Sequence, residues 1–265
     1  MEERLSKIRL SVVVCGFALF AACGSSNVPT RYRGDLFDQG YPLKIGNRWE
    51  YAFGVTDEFI TTNRDLEEEI VPVTFSGIQI WEVAAIDTID GQAAFRIDIN
   101  SQVLSGEQGR IFSYGREGKE SNSSTWLAVR GDTLVQVMST VSQLDEGFSM
   151  KPVQSAQTVV LLVLPLRLGA SWPLSPGRFS PFSRTVLRVE NVTVGSSQLQ
   201  AFRLSTANPL AKLWREEHWY GAPGLVRYSR ESEIVLRRND ELGNPLEDEI
   251  LSTTFVAELI SYQLQ

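Results

Sequence analysis

One histidine, His218, stands in the segment Trp214-Arg215-Glu216-Glu217-His218-Trp219-Tyr220. An imidazole beside carboxylates is raw material for general acid–base chemistry. A catalytic arrangement would join His218 to Glu216 or Glu217 and to a seryl nucleophile. On a strand, neighbours one and two residues away are not expected to converge on one point, and the sequence holds no Gly-x-Ser-x-Gly elbow. A single histidine without cysteine partners cannot make a zinc site of the usual composition. His218 is therefore read as an ordinary strand residue, and no catalytic residue is assigned.

Carboxylates are plentiful, and two facing each other could serve a glycan or lipid hydrolase as paired acid and base. No pattern selects such a pair. Asp65–Glu69 and Glu241–Glu249 read as solvated loops. Asn239-Asp240-Glu241-Leu242-Gly243-Asn244 approaches the composition of a calcium loop without its alternating ligand spacing. No glycine-rich loop opens a helix to cradle phosphate, and no dinucleotide fingerprint is present. The reading is no enzyme, no metal and no cofactor. Of the six tryptophans, Trp49, Trp81, Trp126, Trp172, Trp214 and Trp219, about four are expected in the core, and any exposed ones would line a sugar or lipid surface.

The two cysteines carry a different chemistry. Leu10–Ala22 is a run of thirteen mostly apolar residues ending at Cys23. It follows a short segment with Arg4, Lys7 and Arg9, and is well below the roughly 20 residues of a membrane-spanning helix. A positive start, a short apolar core and small residues before a break is a secretory signal pattern. Leu19-Phe20-Ala21-Ala22-Cys23-Gly24 resembles the lipobox of bacterial lipoproteins, with Phe20 where Leu is commoner. The resemblance implies that the chain is cut before Cys23, which then carries diacylglycerol and a further acyl chain such as palmitate. Such an anchor is effectively permanent. Gly24 in place of Asp points to the outer membrane, facing the periplasm or the surface. Cys15 leaves with the signal peptide, so neither a disulfide nor a free thiol is expected.

Cleavage removes two acids and three bases from totals of 32 and 25, leaving 30 against 22 and a net charge of −8 over 243 residues. An acidic chain is a poor ligand for nucleic acid or anionic headgroups. Residues 23–40, rich in Gly, Ser, Pro and charge, read as a flexible tether spanning on the order of 20 Å. Arg33-Gly34-Asp35 within it is a chance tripeptide.

Residues 41–265 read as one antiparallel β domain. Trp81–Ile89 and Ala94–Val103 flank Asp90-Gly91, a strong hairpin signal. Thr125–Val129 and Thr133–Met138 flank Arg130-Gly131-Asp132. Ser183–Val194 and Gln198–Ser205 flank a Gly-Ser-Ser turn, and Leu225–Arg237 and Glu249–Tyr262 flank the acidic loop Asn239–Asp248. Val159–Leu164, apolar throughout, reads as a strand covered on both faces. Helix is confined to two weak candidates, Leu66–Ile70 and Met138–Glu146.

The sequence also echoes itself. YPLKIGNRWEY at 41–51 and LPLRLGASWPL at 164–174 share Pro-Leu-basic-aliphatic-Gly-x-x-Trp. VAAIDTIDGQAAFRID at 83–98 returns loosely as VENVTVGSSQLQAFRLS at 189–205. Two β units, 41–150 and 160–265, would follow from duplication. The first motif and the later Ala222-Pro223-Gly224-Leu225-Val226-Arg227-Tyr228 resemble a group of secreted and lipid-anchored bacterial proteins with PLxxGNxWxY and APGxGLVxY motifs. The late motif is shorter here, implying a tighter loop, and the resemblance implies no activity.

The fold expected is therefore all-β, a large curved antiparallel sheet or half-barrel with little helix. The role expected is a lipid-anchored envelope lipoprotein, acting as a non-catalytic binding or assembly component with an envelope protein partner. The alternatives are a carrier of lipid or another apolar ligand on the concave face, by resemblance to the half-barrel carriers of lipoprotein localisation, and the hydrolase above.

Overall fold

A computed structural model describes residues 41–61, 72–106, 120–144, 150–155, 158–175, 182–207, 214–236 and 249–265, all within the unit Gly34–Gln265. The signal segment, the tether, the helix candidate Leu66–Ile70 and the acidic loop Asn239–Asp248 lie outside them.

The described residues form strands and turns with no helix. The strands are β1 (Arg48–Thr61), β2 (Val73–Ile89), β3 (Gln92–Gly106), β4 (Glu120–Arg130), β5 (Thr133–Leu144), β6 (Met150–Ser155) and β7 (Val159–Val163). They continue with β8 (Ser171–Pro173), β9 (Ser183–Val194), β10 (Ser197–Ala207), β11 (Trp214–Gly221), β12 (Gly224–Leu236) and β13 (Glu249–Gln263). All four expected hairpins form, and a fifth, β11–β12, turns through Ala222-Pro223 alone. Asp90 and Gly91 both take positive φ, 51° and 75°, as a two-residue turn matching strand twist requires. Of the helix candidate Met138–Glu146, the described part, Met138–Leu144, is strand. Pairing with β4 and β6 overrides its weak helical tendency, as tertiary context commonly does.

Twelve strands run in the order β6-β5-β4-β3-β2-β1-β13-β12-β11-β10-β9-β8, every neighbour antiparallel. β7 leaves this path and pairs with β5. Its Val160 N–H donates to the Leu174 carbonyl just past β8, at 2.6 Å. That contact brings the two ends of the sheet together, so the sheet is a nearly closed barrel. The apolar run 159–164 is thus a strand paired along one side only, with Leu162 fully buried and its neighbours half-buried.

Alternation sets the polarity of the barrel. Along β1, Trp49, Tyr51, Phe53 and Val55 are buried while Glu50, Ala52, Gly54 and Thr56 are not. The inward set joins Phe75, Val83, Ile97, Leu204, Phe255 and Leu259 in one core. Apolar inside and polar outside is the reverse of what a barrel immersed in lipid needs. No helix among the described residues is long and apolar enough to cross a membrane.

The echo in the sequence has a counterpart at the level of single hydrogen bonds. Gly46 N–H donates to Val83 O and Gly169 N–H to Val186 O, both at 2.9 Å. Asn47 N–H reaches Lys44 O as Ala170 N–H reaches Arg167 O, and Val83 N–H reaches Asn47 O as Val186 N–H reaches Ala170 O. Both turns need a residue at positive φ, 87° at Gly46 and 77° at Gly169, where a side chain is strained. Bulges recur as well. Ala84 is unpaired between β2 and β3 as Leu187 is between β9 and β10, and Val137 and Val226 repeat this in the next hairpins. Trp126 donates its indole N–H to Asp87, and Trp219 donates to Glu190. In order around the barrel, β8 to β12 therefore retrace β1 to β5.

Candidate functional site

β9, β11 and β12 carry the chemistry. On β11 the two-residue period places Glu216, His218 and Tyr220 on the inner face and Arg215, Glu217 and Trp219 on the outer one. On the outer face Glu217 accepts from Arg203 and Arg215, each at 2.7 Å. Arg203 and Arg227 sit over the Trp219 ring at 5.2 and 5.0 Å. That face is a covered ion-pair and cation–π cluster. Burial alone would push the Glu217 carboxyl up, but Arg203 and Arg215 outweigh it and hold it below its usual range.

The inner face meets Arg184 from β9. Its side chain is only 2% exposed. Its Nε donates to Thr206 Oγ1 at 3.0 Å and its Nη1 to the Leu161 carbonyl at 2.9 Å, while a further hydrogen bond joins it to Tyr220. The Nη2 atom lies 4.0 Å from Glu216 Oε1 and 3.5 Å from His218 Nε2. His218 Nε2 is 3.2 Å from Glu216 Oε1, and Tyr228 also hydrogen-bonds the carboxylate. Tyr220 stacks on the imidazole, centroids 5.9 Å apart at 6°, and Tyr228 tilts against it at 4.9 Å.

One expectation about His218 is corrected here. It does converge with its i−2 neighbour, because the pleat of a strand puts i and i+2 on one face and the long Glu216 side chain reaches the ring tip. It is a strand residue as expected, placed in the wall of a cavity. Glu217, the adjacent residue, points to the other face as expected.

Electrostatics fix the protonation of the group. Burial raises the cost of the Glu216 charge, but His218, Arg184 and Tyr228 more than offset it and hold its carboxyl below the ordinary range. Burial first, and Arg184 second, push His218 down to about 4 against the opposing pull of Glu216. At neutral pH the cluster is one cation, one anion and a neutral imidazole. The imidazole Nε2–H donates a hydrogen bond to Glu216 Oε1, and its Nδ1 is buried without a hydrogen-bond partner.

This cluster forms one wall of a cavity of about 460 Å³ inside the barrel, within the size range of small-molecule sites. The facing wall comes from the corresponding positions of β2 to β5. Register places Trp81 where β9 has Arg184, since Trp49 pairs Trp81 and Trp172 pairs Arg184. By the same test Ser123, Thr125, Leu127 and Ser139 stand where Glu216, His218, Tyr220 and Tyr228 do. At these matched positions one half brings charge and phenols, the other an indole, an aliphatic and hydroxyls. Tyr41, Tyr51, Leu161, Leu225, Phe255 and Ala257 also line the cavity, and Gln79 and Gln136 add amides to the wall from β2 to β5.

Among the described lining residues Glu216 is the single carboxylate, so the two-carboxyl arrangement of a glycosidase does not form on this wall. No group of three or more His, Cys, Asp or Glu side chains able to hold a metal occurs among the described residues. Cys23, Asp65–Glu69 and Asn239–Asn244 lie outside them. Of the tryptophans, Trp49, Trp126, Trp172 and Trp219 are buried. Trp81 lines the cavity, and Trp214, half-buried, packs edge-on to Phe182 at 5.0 Å. Sequence reasoning missed Arg184. Its equivalence to Trp81 comes from strand register, and the quoted echoes, with their different spacings, do not align the two.

No family model matches the chain, and no curated protein matches it significantly. Among solved structures, a Bacteroides fragilis protein assigned as exported and described as having a YmcC-like fold is similar over 84% of this chain and 98% of its own. The TM-score is 0.34 at 7% identity, a likeness too distant to carry a ligand or a role across.

Proposed function

We propose that this protein is an envelope lipoprotein, held at the outer membrane by acylated Cys23, whose barrel binds a small amphiphile as a non-catalytic carrier or sensor. The observation that carries the binding role is the interior cavity, in which Trp81, Ile99 and Leu127, set among uncharged hydroxyl and amide side chains, face a wall whose charges are already paired. A packed barrel of this size has no structural need for such a space, because voids in a core cost stability. A mixed lining of apolar surface and a few convergent polar groups is the usual composition of a ligand site. The anchor rests on Leu19–Gly24 and on the tether that follows it. A ligand drawn from a membrane and a protein fastened to that membrane suit one another, since tethering raises the local concentration of each for the other.

The two parts are tested separately. Cys23→Ser should move the protein from the membrane to the soluble fraction or leave the precursor uncleaved; unchanged fractionation removes the anchor. Native mass spectrometry of the protein extracted in copolymer nanodiscs should show a bound small molecule, and a mass equal to the acylated chain alone removes the carrier. An assembly role with an envelope protein would instead appear as a crosslinked partner with an empty cavity.

A further inference from the structure

The two walls of the cavity differ in what they offer a ligand, and the difference lies in depth. The Glu216 side chain is 15% exposed and that of Arg184 is 2% exposed. The guanidinium is almost fully covered and directed to Thr206, Leu161 and Tyr220. His218 is 8% exposed and turns its tip to Glu216. The least covered charged group on this wall is therefore an acceptor, a carboxylate neutralised by Arg184. Opposite it stand Trp81, Ile99 and Leu127, with the hydroxyls of Ser123 and Thr125 beside them.

We propose that the cavity selects amphiphiles whose head is an uncharged hydrogen-bond donor, an alcohol or an amide, seated on Glu216 with its apolar body against Trp81, Ile99 and Leu127. This rests on the cavity being a ligand site. A free fatty acid is the wrong partner. Its carboxylate would come close to Glu216 in a water-poor interior, where like charges repel strongly, while the arginine that could compensate is 2% exposed and already bonded to Thr206, Leu161 and Tyr220. An ether of the same length fits beside Trp81 but adds no hydrogen bond to the lone pairs that His218 and Tyr228 leave open on Glu216, and so forgoes the gain of a bond to a charged acceptor. A free-acid carrier would expose the arginine in place of the carboxylate.

The test compares 1-octanol, octyl methyl ether and octanoate at pH 8 by titration calorimetry. It uses the full-length protein in nanodiscs, with empty nanodiscs as the blank. The alcohol should bind about tenfold more tightly than the ether and about thirtyfold or more above octanoate. Octanoate equal to or tighter than octanol, or an ether equal to octanol, overturns the proposal. If none of the three binds above the blank, the cavity reading fails and the selectivity with it. Glu216→Gln, checked for an unchanged far-ultraviolet spectrum, should narrow the gap between octanol and octanoate at least fivefold; an unchanged gap in the folded variant also overturns the proposal. If that variant does not fold, the wild-type ranking of the three compounds still decides.

Discussion

At the scale of single residues, the buried set on β9 and β11 is a group whose members depend on one another. Arg184 without Glu216 is a cation in a core, and Glu216 without Arg184 is an anion there. Arg184→Met is expected to destabilise the fold by about 3 kcal/mol or more, and adding Glu216→Met should recover a large part of the loss, because removing both charges leaves neither unpaired. Denaturant melts of the two single variants and the double variant check this as a cycle. His218 makes the group sensitive to acid. Its folded value of about 4 lies below the ordinary 6.5, so between those two pH values the unfolded chain binds a proton that the folded chain does not. The stability that this group contributes is full above pH 6.5 and falls as pH drops toward 4, by about 3 kcal/mol in all. Glu216 and Glu217, held low, extend the loss to more acid pH in the same direction. In His218→Phe the slope between pH 6.5 and 4 should flatten; a variant that keeps the wild-type slope assigns the acid sensitivity elsewhere.

Strands and turns explain how much could be read in advance. Hairpins such as Asp90-Gly91 and Arg130-Gly131-Asp132 are local signals, since the turn conformation and the residues that permit it sit within four positions. The Pro-Leu-x-x-Gly-x-x-Trp echo is also local, and its two turns make the same hydrogen bonds. Gly46→Ala and Gly169→Ala should therefore cost similar amounts, about 1 to 2 kcal/mol each. A Cβ at 169 meets nothing within 4 Å, and one at 46 meets only the end of the Gln265 side chain at 3.3 Å. Gly77→Ala in β2 is a different case. Its Cβ would lie 2.0 Å from the Gln102 carbonyl and 2.6 Å from the Phe53 ring, so a loss exceeding those at the turns is expected, from overpacking in place of backbone strain. Thermal melts of the three variants rank them, and Gly77→Ala as mild as the turn variants would contradict the register of β2 against β3. What could not be read locally is the cavity wall. Arg184, Leu161, Glu216 and Tyr228 come from four strands spread over more than sixty residues, and only the closing of the barrel makes them neighbours. The reading of Met138–Glu146 as a helix candidate failed for the same reason, because β4 and β6 decide that segment from outside it.

For the whole molecule, the architecture accounts for why a barrel with two similar sets of strands has an asymmetric interior. Matching hydrogen bonds, bulges and indole–carboxylate contacts fix a common frame in β1 to β5 and β8 to β12. The inward side chains on that frame differ, leaving a cavity with Trp81 on one wall and Arg184 on the other. The frame supplies rigidity, and the difference would give the proposed ligand a head-to-tail direction. The most direct check is to fill the space and weigh the protein. Ala257 lines the cavity and is buried in β13; Ala257→Trp, with Ser123→Trp on the facing wall as a second version, should occupy the void without disturbing strand pairing. In native mass spectra of nanodisc-extracted protein, the wild type should carry an added small-molecule mass that both folded variants lack. The same added mass in wild type and variants, or none in the wild type, would contradict a ligand in the barrel.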